Sequence, residues 1–270
     1  MFRRLGQLAA CAMIIALATS ADAEESRRAL VLSSDFGTTE RFVASMKGVA
    51  LSVDPDLRVH DLTHHIEPHN IWQASHVLTG TIEYWPKGTV FVSVVDPGVG
   101  TKRKSVVAET GSGHFIVTPD NGTLTLVADT HGIVALREID ESVNRRPGTE
   151  DLHTFHGRDV YSYTGARLAA GVIDYEGVGP ALDPTVVRLD YQRPQVLDDG
   201  TVTGSLIHVE VPFGNIVTNI PTELLESQGM SDNDNAKVHV RVLQGEEIVF
   251  DQRIPYANSF GFVEKNEPLL

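Results

Sequence analysis

Gly88-Thr89-Val90-Phe91-Val92-Ser93-Val94-Val95 is a nearly unbroken apolar run, and Asp96-Pro97-Gly98-Val99-Gly100 closes it as a turn. A strand that alternates apolar and polar residues can leave one face in water. A run that is apolar almost throughout has to be covered on both faces, so this segment calls for a sheet with layers on either side. The flanking sequence supplies them. Arg28–Ser34 and Leu57–Leu62 are strand patterns, and 104–109, 114–118 and 134–138 read as further strands. Phe42, Val43, Met46, Val49 and Ala50 recur at helical spacing, which predicts a helix through about Val53 with Thr38-Thr39-Glu40 as its cap. Residues 69–84 and 159–171 read as two more helices. Strands alternating with helices make this an α/β domain.

The pattern changes near Arg193-Pro194. Beyond it, strand patterns at 201–211, 237–243 and 246–253, with one short helix around 222–228, read as a small antiparallel β-domain. The expected division is a leader at 1–23, an α/β domain at 24–193 and a β-domain at 194–270. The leader rests on Arg3 and Arg4, an apolar stretch from Leu5 to Thr19, and the small-x-small site Ala21-Asp22-Ala23. Leu8-Ala9-Ala10-Cys11 offers the alternative of a lipoprotein box. Cleavage after Ala23 removes two arginines and one aspartate, taking the net charge from −14 to −15, and removes Cys11, the only cysteine. The expectation is an exported protein, periplasmic or extracellular, with no disulfide and no thiol chemistry. The acidic balance argues against nucleic acid as a partner and offers no polybasic patch to a membrane.

Several segments can carry chemistry. Asp96 and Arg103 flank the Gly98/Gly100 loop, either as an ion pair that orients a water or as a salt bridge across a tight turn. Asp35, after a strand and before Gly37, is either a carboxylate for a ribose or a turn aspartate. Thr118-Pro119-Asp120-Asn121-Gly122 is a turn dense in polar side chains. Phe155-His156-Gly157-Arg158-Asp159 puts a proton-handling imidazole on a bend that opens a helix. Glu210 precedes Phe213-Gly214-Asn215, a recognition element or a plain hairpin turn. His60, His64, His65 and His69 lack the spacing of a helical zinc motif and read as a solvated or interface cluster. There is no G-x-S-x-G elbow, no phosphate loop and no G-x-G-x-x-G.

Taken in register, Ser34-Asp35-Phe36-Gly37, Met46-Lys47-Gly48-Val49, Val94 through Arg103, Pro119-Asp120-Asn121-Gly122, Thr154 through Asp159 and Pro212 through Ile220 resemble the S-adenosyl-L-methionine hydroxide adenosyltransferase family. These are adenosine-forming hydrolases related to fluorinating and chlorinating enzymes. The resemblance implies a catalytic set of Asp96, Arg103 and His156. It also implies ribose binding by Asp35 and a pocket lined by Phe155 and Phe213. Asn215, Glu210 and Asn121 would join in substrate binding. The halogenating relatives lack an aspartate where this chain has Asp96 and a glycine where it has Gly157, so the resemblance is to the water-using branch. It further implies an α/β domain followed by a β-barrel, and a homotrimer with sites between subunits. Glu210 stands where the family usually has aspartate, and the chain stops before the segment that completes the barrel. No metal and no cofactor is expected, with S-adenosylmethionine as the substrate. His156 and Asp96 would orient or deprotonate a water, and Arg103 would favour hydroxide. The reading from another class is an exported protein that binds adenosine without turnover.

Overall fold

The computed structural model describes residues 28–210, 213–230 and 237–257, so the leader and residues 258–270 lie outside the described residues. The chain divides into two units, one ending at Arg188 and the other beginning at Leu189.

The first unit is built on seven strands: β1 (Leu30–Ser34), β2 (Val59–Thr63), β3 (Val90–Val94), β4 (Ser105–Thr110), β5 (Phe115–Pro119), β6 (Ile133–Glu138) and β7 (Ala181–Leu182). They lie in the order β2-β1-β3-β5-β4-β6-β7. The first four in that order are parallel, and β4, β6 and β7 add antiparallel pairs. All five residues of β3 are buried, as its apolar composition requires. Leu30, Leu32, Val90, Val92 and Val94 face one side, where they pack with Met46, Ala50, Ala166 and Leu168. Val31, Phe91, Val106 and Ile116 face the other, with Leu78, Ile82, Leu124 and Val127. The side-chain period of two thus divides the sheet between two helical layers.

The first layer carries α1 (Phe42–Val53), and the second carries α2 (Ile71–Thr79) and α3 (Thr125–Thr130). The short α4 (Glu141–Asn144) follows β6. A π-helical turn at 157–162 then runs straight into α5 (Tyr163–Ala169). Two sequence expectations change here. The cap of α1 is Arg41, whose side chain makes no capping bond, so Thr38-Thr39-Glu40 does not serve. The predicted helix 69–84 is two pieces, because α2 ends at Gly80 and a separate 3₁₀ turn covers 82–84. Asn70 caps α2 by accepting from the Gln73 N–H at 2.9 Å.

The second unit contains β8 (Gln195–Val196), β9 (Val202–Thr203), β10 (Leu206–Glu210), β11 (Asn215–Thr218), α6 (Thr222–Ser227), β12 (Lys237–Gln244) and β13 (Glu247–Pro255). The α/β class with antiparallel β-structure after it is as expected, but among the described residues no barrel closes. The strands form three separate two-stranded sheets. A barrel needs each strand paired on both edges, and here each has a single partner.

Candidate active site

The parallel strands place the site. β1 pairs with β2 on one edge and β3 on the other, so the chain leaves β1 in one direction and reaches β3 in the opposite one. Such a reversal opens a crevice beyond the carboxyl ends of the strands. Ser34 pairs with Val94 at the last rung. The residues that follow, Asp35 and Asp96, therefore stand at the mouth of the same crevice.

A cleft of about 290 Å³ occupies this position. Asp35, Phe36, Phe42, His69, Asp96, Val99, Phe155, His156 and Gly157 are among its lining residues. The rings of Phe36, Phe42 and Phe155 pack as a trio, with centroids 5.5–5.7 Å apart, Phe155 standing edge-on to the other two. They give the cleft an apolar wall beside its carboxylates. Asp35 Oδ2 accepts from the His69 N–H at 2.9 Å. His69 holds φ at +67°, a sparsely populated backbone region for a side-chain-bearing residue.

Asp96, Arg103 and His156 are bonded to one another. Arg103 Nε donates to both Asp96 oxygens, at 2.9 and 3.0 Å, and Nη2 donates to Oδ2 at 2.5 Å. The same Nη2 lies 3.0 Å from His156 Nδ1. Arg103 Nη1 donates to Ser105 Oγ at 3.0 Å, and Ser105 Oγ is 3.2 Å from the Tyr161 hydroxyl. Tyr161 in turn donates to Asp96 Oδ2 at 3.3 Å. Asp96 and His156 face the cleft, while Arg103 stands behind them. Burial opposes the charge on Arg103, yet its bonds to Asp96 and the fields of the Asp96 and Glu141 carboxylates hold its pKa above the ordinary value. Burial also pushes the Tyr161 phenol well above its usual range, so it stays a neutral donor. Burial, reinforced by Arg103 and Arg145 and opposed by Glu141 and Asp96, lowers His156.

A second chain of bonds underlies Asp35. Lys47 Nζ donates to Asp61 Oδ2 at 2.6 Å, Asp61 Oδ1 is 3.0 Å from His64 Nε2, and His64 Nδ1 is 2.7 Å from Ser34 Oγ. A carboxylate accepts only, so Nε2 carries the ring proton and Ser34 donates to Nδ1. His64 is buried, and burial lowers its pKa more than Asp61 raises it. Of the histidines expected as a solvated or interface cluster, His60, His65 and His69 are exposed and His64 is a buried strut; His69 lines the cleft and His60 packs against Trp85. Among the described residues no group of three His, Cys, Asp or Glu side chains is placed to hold a metal ion.

Residues 30–179 match the family model described as SAM hydroxide adenosyltransferase N-terminal domain. The chain belongs to the SAM hydroxide adenosyltransferase family. Among its relatives is a protein of Methanocaldococcus jannaschii named (R)-S-adenosyl-L-methionine hydrolase. The two are 40% identical over 195 residues, which are 71% of this chain and 66% of that protein. A fluorinase of Actinopolyspora mzabensis is 32% identical over 79% of this chain and 78% of its own length. A crystal structure of an uncharacterized conserved protein from Thermotoga maritima has the same fold, with a TM-score of 0.75 and 34% identity over 89% of this chain and 87% of that one.

Of the residues singled out in the sequence, the structure gathers Asp35, Asp96, Phe155 and His156 at one cleft, with Arg103 behind it. Asn121 reaches the site through backbone alone: its amide donates to the Val95 carbonyl at 2.9 Å and so pins the start of the Asp96 loop. Glu210 and Asn215 pair within the second unit, Asn215 Nδ2 donating to Glu210 Oε2 at 2.6 Å, and Phe213 there is 68% exposed. Sequence reasoning missed Arg145, Tyr161 and Ser105. No motif marks them, since each meets the site only once β4, the loop after α4 and the π-turn are folded together.

Proposed function

We propose that this protein hydrolyses S-adenosyl-L-methionine to adenosine and L-methionine by attack of water at the ribose C5′. The observation that carries this reading is the bonded set of Asp96, Arg103 and His156 on the cleft at the strand switch point, beside Asp35. The C5′–O bond forms as the C5′–S bond breaks, and the bonding pair returns to sulfur. The sulfonium becomes a neutral thioether, so no acid is needed for the leaving group, and the chemistry calls for no metal or cofactor. What the protein supplies is an oriented, partly desolvated water in line with the breaking bond.

In this proposal Asp96 and His156 hold that water, and Arg103 favours its hydroxide-like form. Asp35 takes the ribose hydroxyls, and the Phe36, Phe42 and Phe155 wall excludes bulk solvent. The carboxylates of Asp35 and Asp96 suit a cationic substrate. Glu210, Phe213 and Asn215 are assigned to its adenine or methionine portion. The names of the hydrolase relatives make the (R)-sulfonium epimer the first to test. We also take the mature protein to be an exported homotrimer, which cell fractionation and light scattering test.

Purified protein incubated with S-adenosylmethionine should release adenosine and methionine in equal amounts. Asp96→Ala with His156→Ala should cut the rate on the order of 10²-fold or more. Adenosine bound without turnover, or full turnover by the double variant, would overturn the proposal.

A further inference from the structure

His156 lies between two guanidinium groups. Arg103 Nη2 is 3.0 Å from Nδ1, and Arg145 Nη2 is 3.2 Å from Nε2. A guanidinium only donates. A neutral imidazole has one accepting nitrogen, and an imidazolium has none. Protonation would set two ring N–H groups against two cations, in a residue only 4% exposed.

Arg145 is held as firmly as Arg103. Its Nε donates to Glu141 Oε2 at 3.1 Å, and Nη2 meets the same oxygen. Its Nη1 donates to the carbonyls of Thr149 and Leu152 at 3.2 and 3.0 Å. It is therefore a built cation on the far side of the ring from Arg103, not a surface arginine that swings past. The other groups facing His156 are few. Asp96 is committed to Arg103 and Glu141 to Arg145, Tyr161 is a neutral phenol, and the His153 ring lies 6.2 Å away. Asp35 and His69 share the cleft lining.

We infer that Arg145 is a positioning residue for the hydrolysis: fixed by Glu141 and two carbonyls, its guanidinium keeps His156 neutral, so that the ring orients the attacking water and does not take its proton. This rests on the function proposed above. One ring nitrogen accepts from a guanidinium, while the other keeps its hydrogen and faces a group that cannot accept it. A water oxygen in the cleft can. The water's own proton then goes to Asp96 Oδ1, which accepts one bond from Arg103 where Oδ2 accepts three, and from there to solvent. Burial and the two arginines hold His156 below its ordinary 6.5, against Glu141 and Asp96, in keeping with this role.

The test is a ¹⁵N NMR titration of the His156 ring in the full chain, with the signal identified by its loss in His156→Asn. The parent should show His156 titrating below 6.5. Arg145→Gln should raise that value by about one unit or more, because a cation is lost and Glu141 is left unpaired. Arg145→Lys should keep it low. Should Arg145→Gln fold poorly, the parent and Arg145→Lys still decide: a parent value above 6.5, or an Arg145→Lys value raised as a neutral residue would raise it, overturns the inference. An unchanged value in folded Arg145→Gln does so too. In activity, Arg145→Gln should lose a larger share of its pH 8 rate at pH 6 than the parent does. The titration is read from the ring itself. A parent that releases no adenosine thus refutes the hydrolase reading without deciding the role of Arg145.

Discussion

Gly157 follows His156 at the floor of the cleft, and its lack of a side chain is a spatial requirement. A Cβ built there would lie 3.1 Å from Val94 Cγ1, 3.2 Å from Phe36 Cε2 and 3.4 Å from Phe155 Cε2. Those neighbours would have to yield by a few tenths of an ångström, and two of them belong to the wall that should meet the substrate. Gly157→Ala should therefore leave the fold intact while lowering kcat/KM for S-adenosylmethionine by roughly tenfold, the equivalent of about 1.4 kcal/mol in the transition state. Steady-state adenosine release, checked against an unchanged melting curve, reads this directly. Unaltered kinetics would mean that the substrate does not approach this floor. Gly100 meets a different requirement. Its φ of +76° turns the loop between Asp96 and Arg103 back on itself, bringing the arginine onto the carboxylate from seven residues away.

Strand β3 was legible because its composition leaves one solution, a strand covered on both faces. The reading of Asp96 at its carboxyl end follows from the same fact. Helix α3 was not legible. Its Thr125-Leu126-Val127 start is rich in β-branched residues, and its first turn is held by tertiary contact, the Leu126 N–H donating to Ser75 Oγ on α2 at 2.9 Å. The π-turn was likewise hidden, since one residue of extra winding leaves no periodic trace over 157–162. Asn121 lay in a recognised turn, but its bond to the Val95 carbonyl depends on two loops meeting. At the interface of α5 with the sheet, Gly165 lets the helix sit close on β1 and β3. A Cβ there would lie 2.5 Å from Val92 Cγ2 and 3.3 Å from Leu30 Cδ1. Gly165→Val should destabilise the α/β unit by about 1–3 kcal/mol, seen as a lower urea midpoint at constant m-value. An unchanged midpoint would show that this packing is looser than described.

Across the whole molecule, three buried histidines, His64, His114 and His156, are held neutral, each lowered first of all by burial from an ordinary value of 6.5. In the unfolded chain they take up protons at about pH 6.5, and in the folded one only at lower pH. Between those values the unfolded state binds more protons, so stability rises with pH there. Their contribution is complete above about pH 6.5 and is lost as the pH falls through the lowered folded values. The urea midpoint should be level from pH 8 to 7 and decline from 6.5 to 5. A midpoint that holds or rises over that acid range would contradict the neutral assignment.

The change in pattern near Arg193-Pro194 sets the expected domain boundary; the chain divides into two compact units at Arg188 and Leu189. Among the described residues of the second unit no barrel closes, since each strand there has a single partner. The proposed hydrolysis is centred on the switch-point cleft. Running it in H₂¹⁸O tests the account most directly. Attack of water at C5′ predicts adenosine with one ¹⁸O in its 5′-hydroxyl, heavier by the mass difference between ¹⁸O and ¹⁶O, with unlabelled methionine. Unlabelled adenosine, or a product that keeps the C5′–S bond, would contradict it.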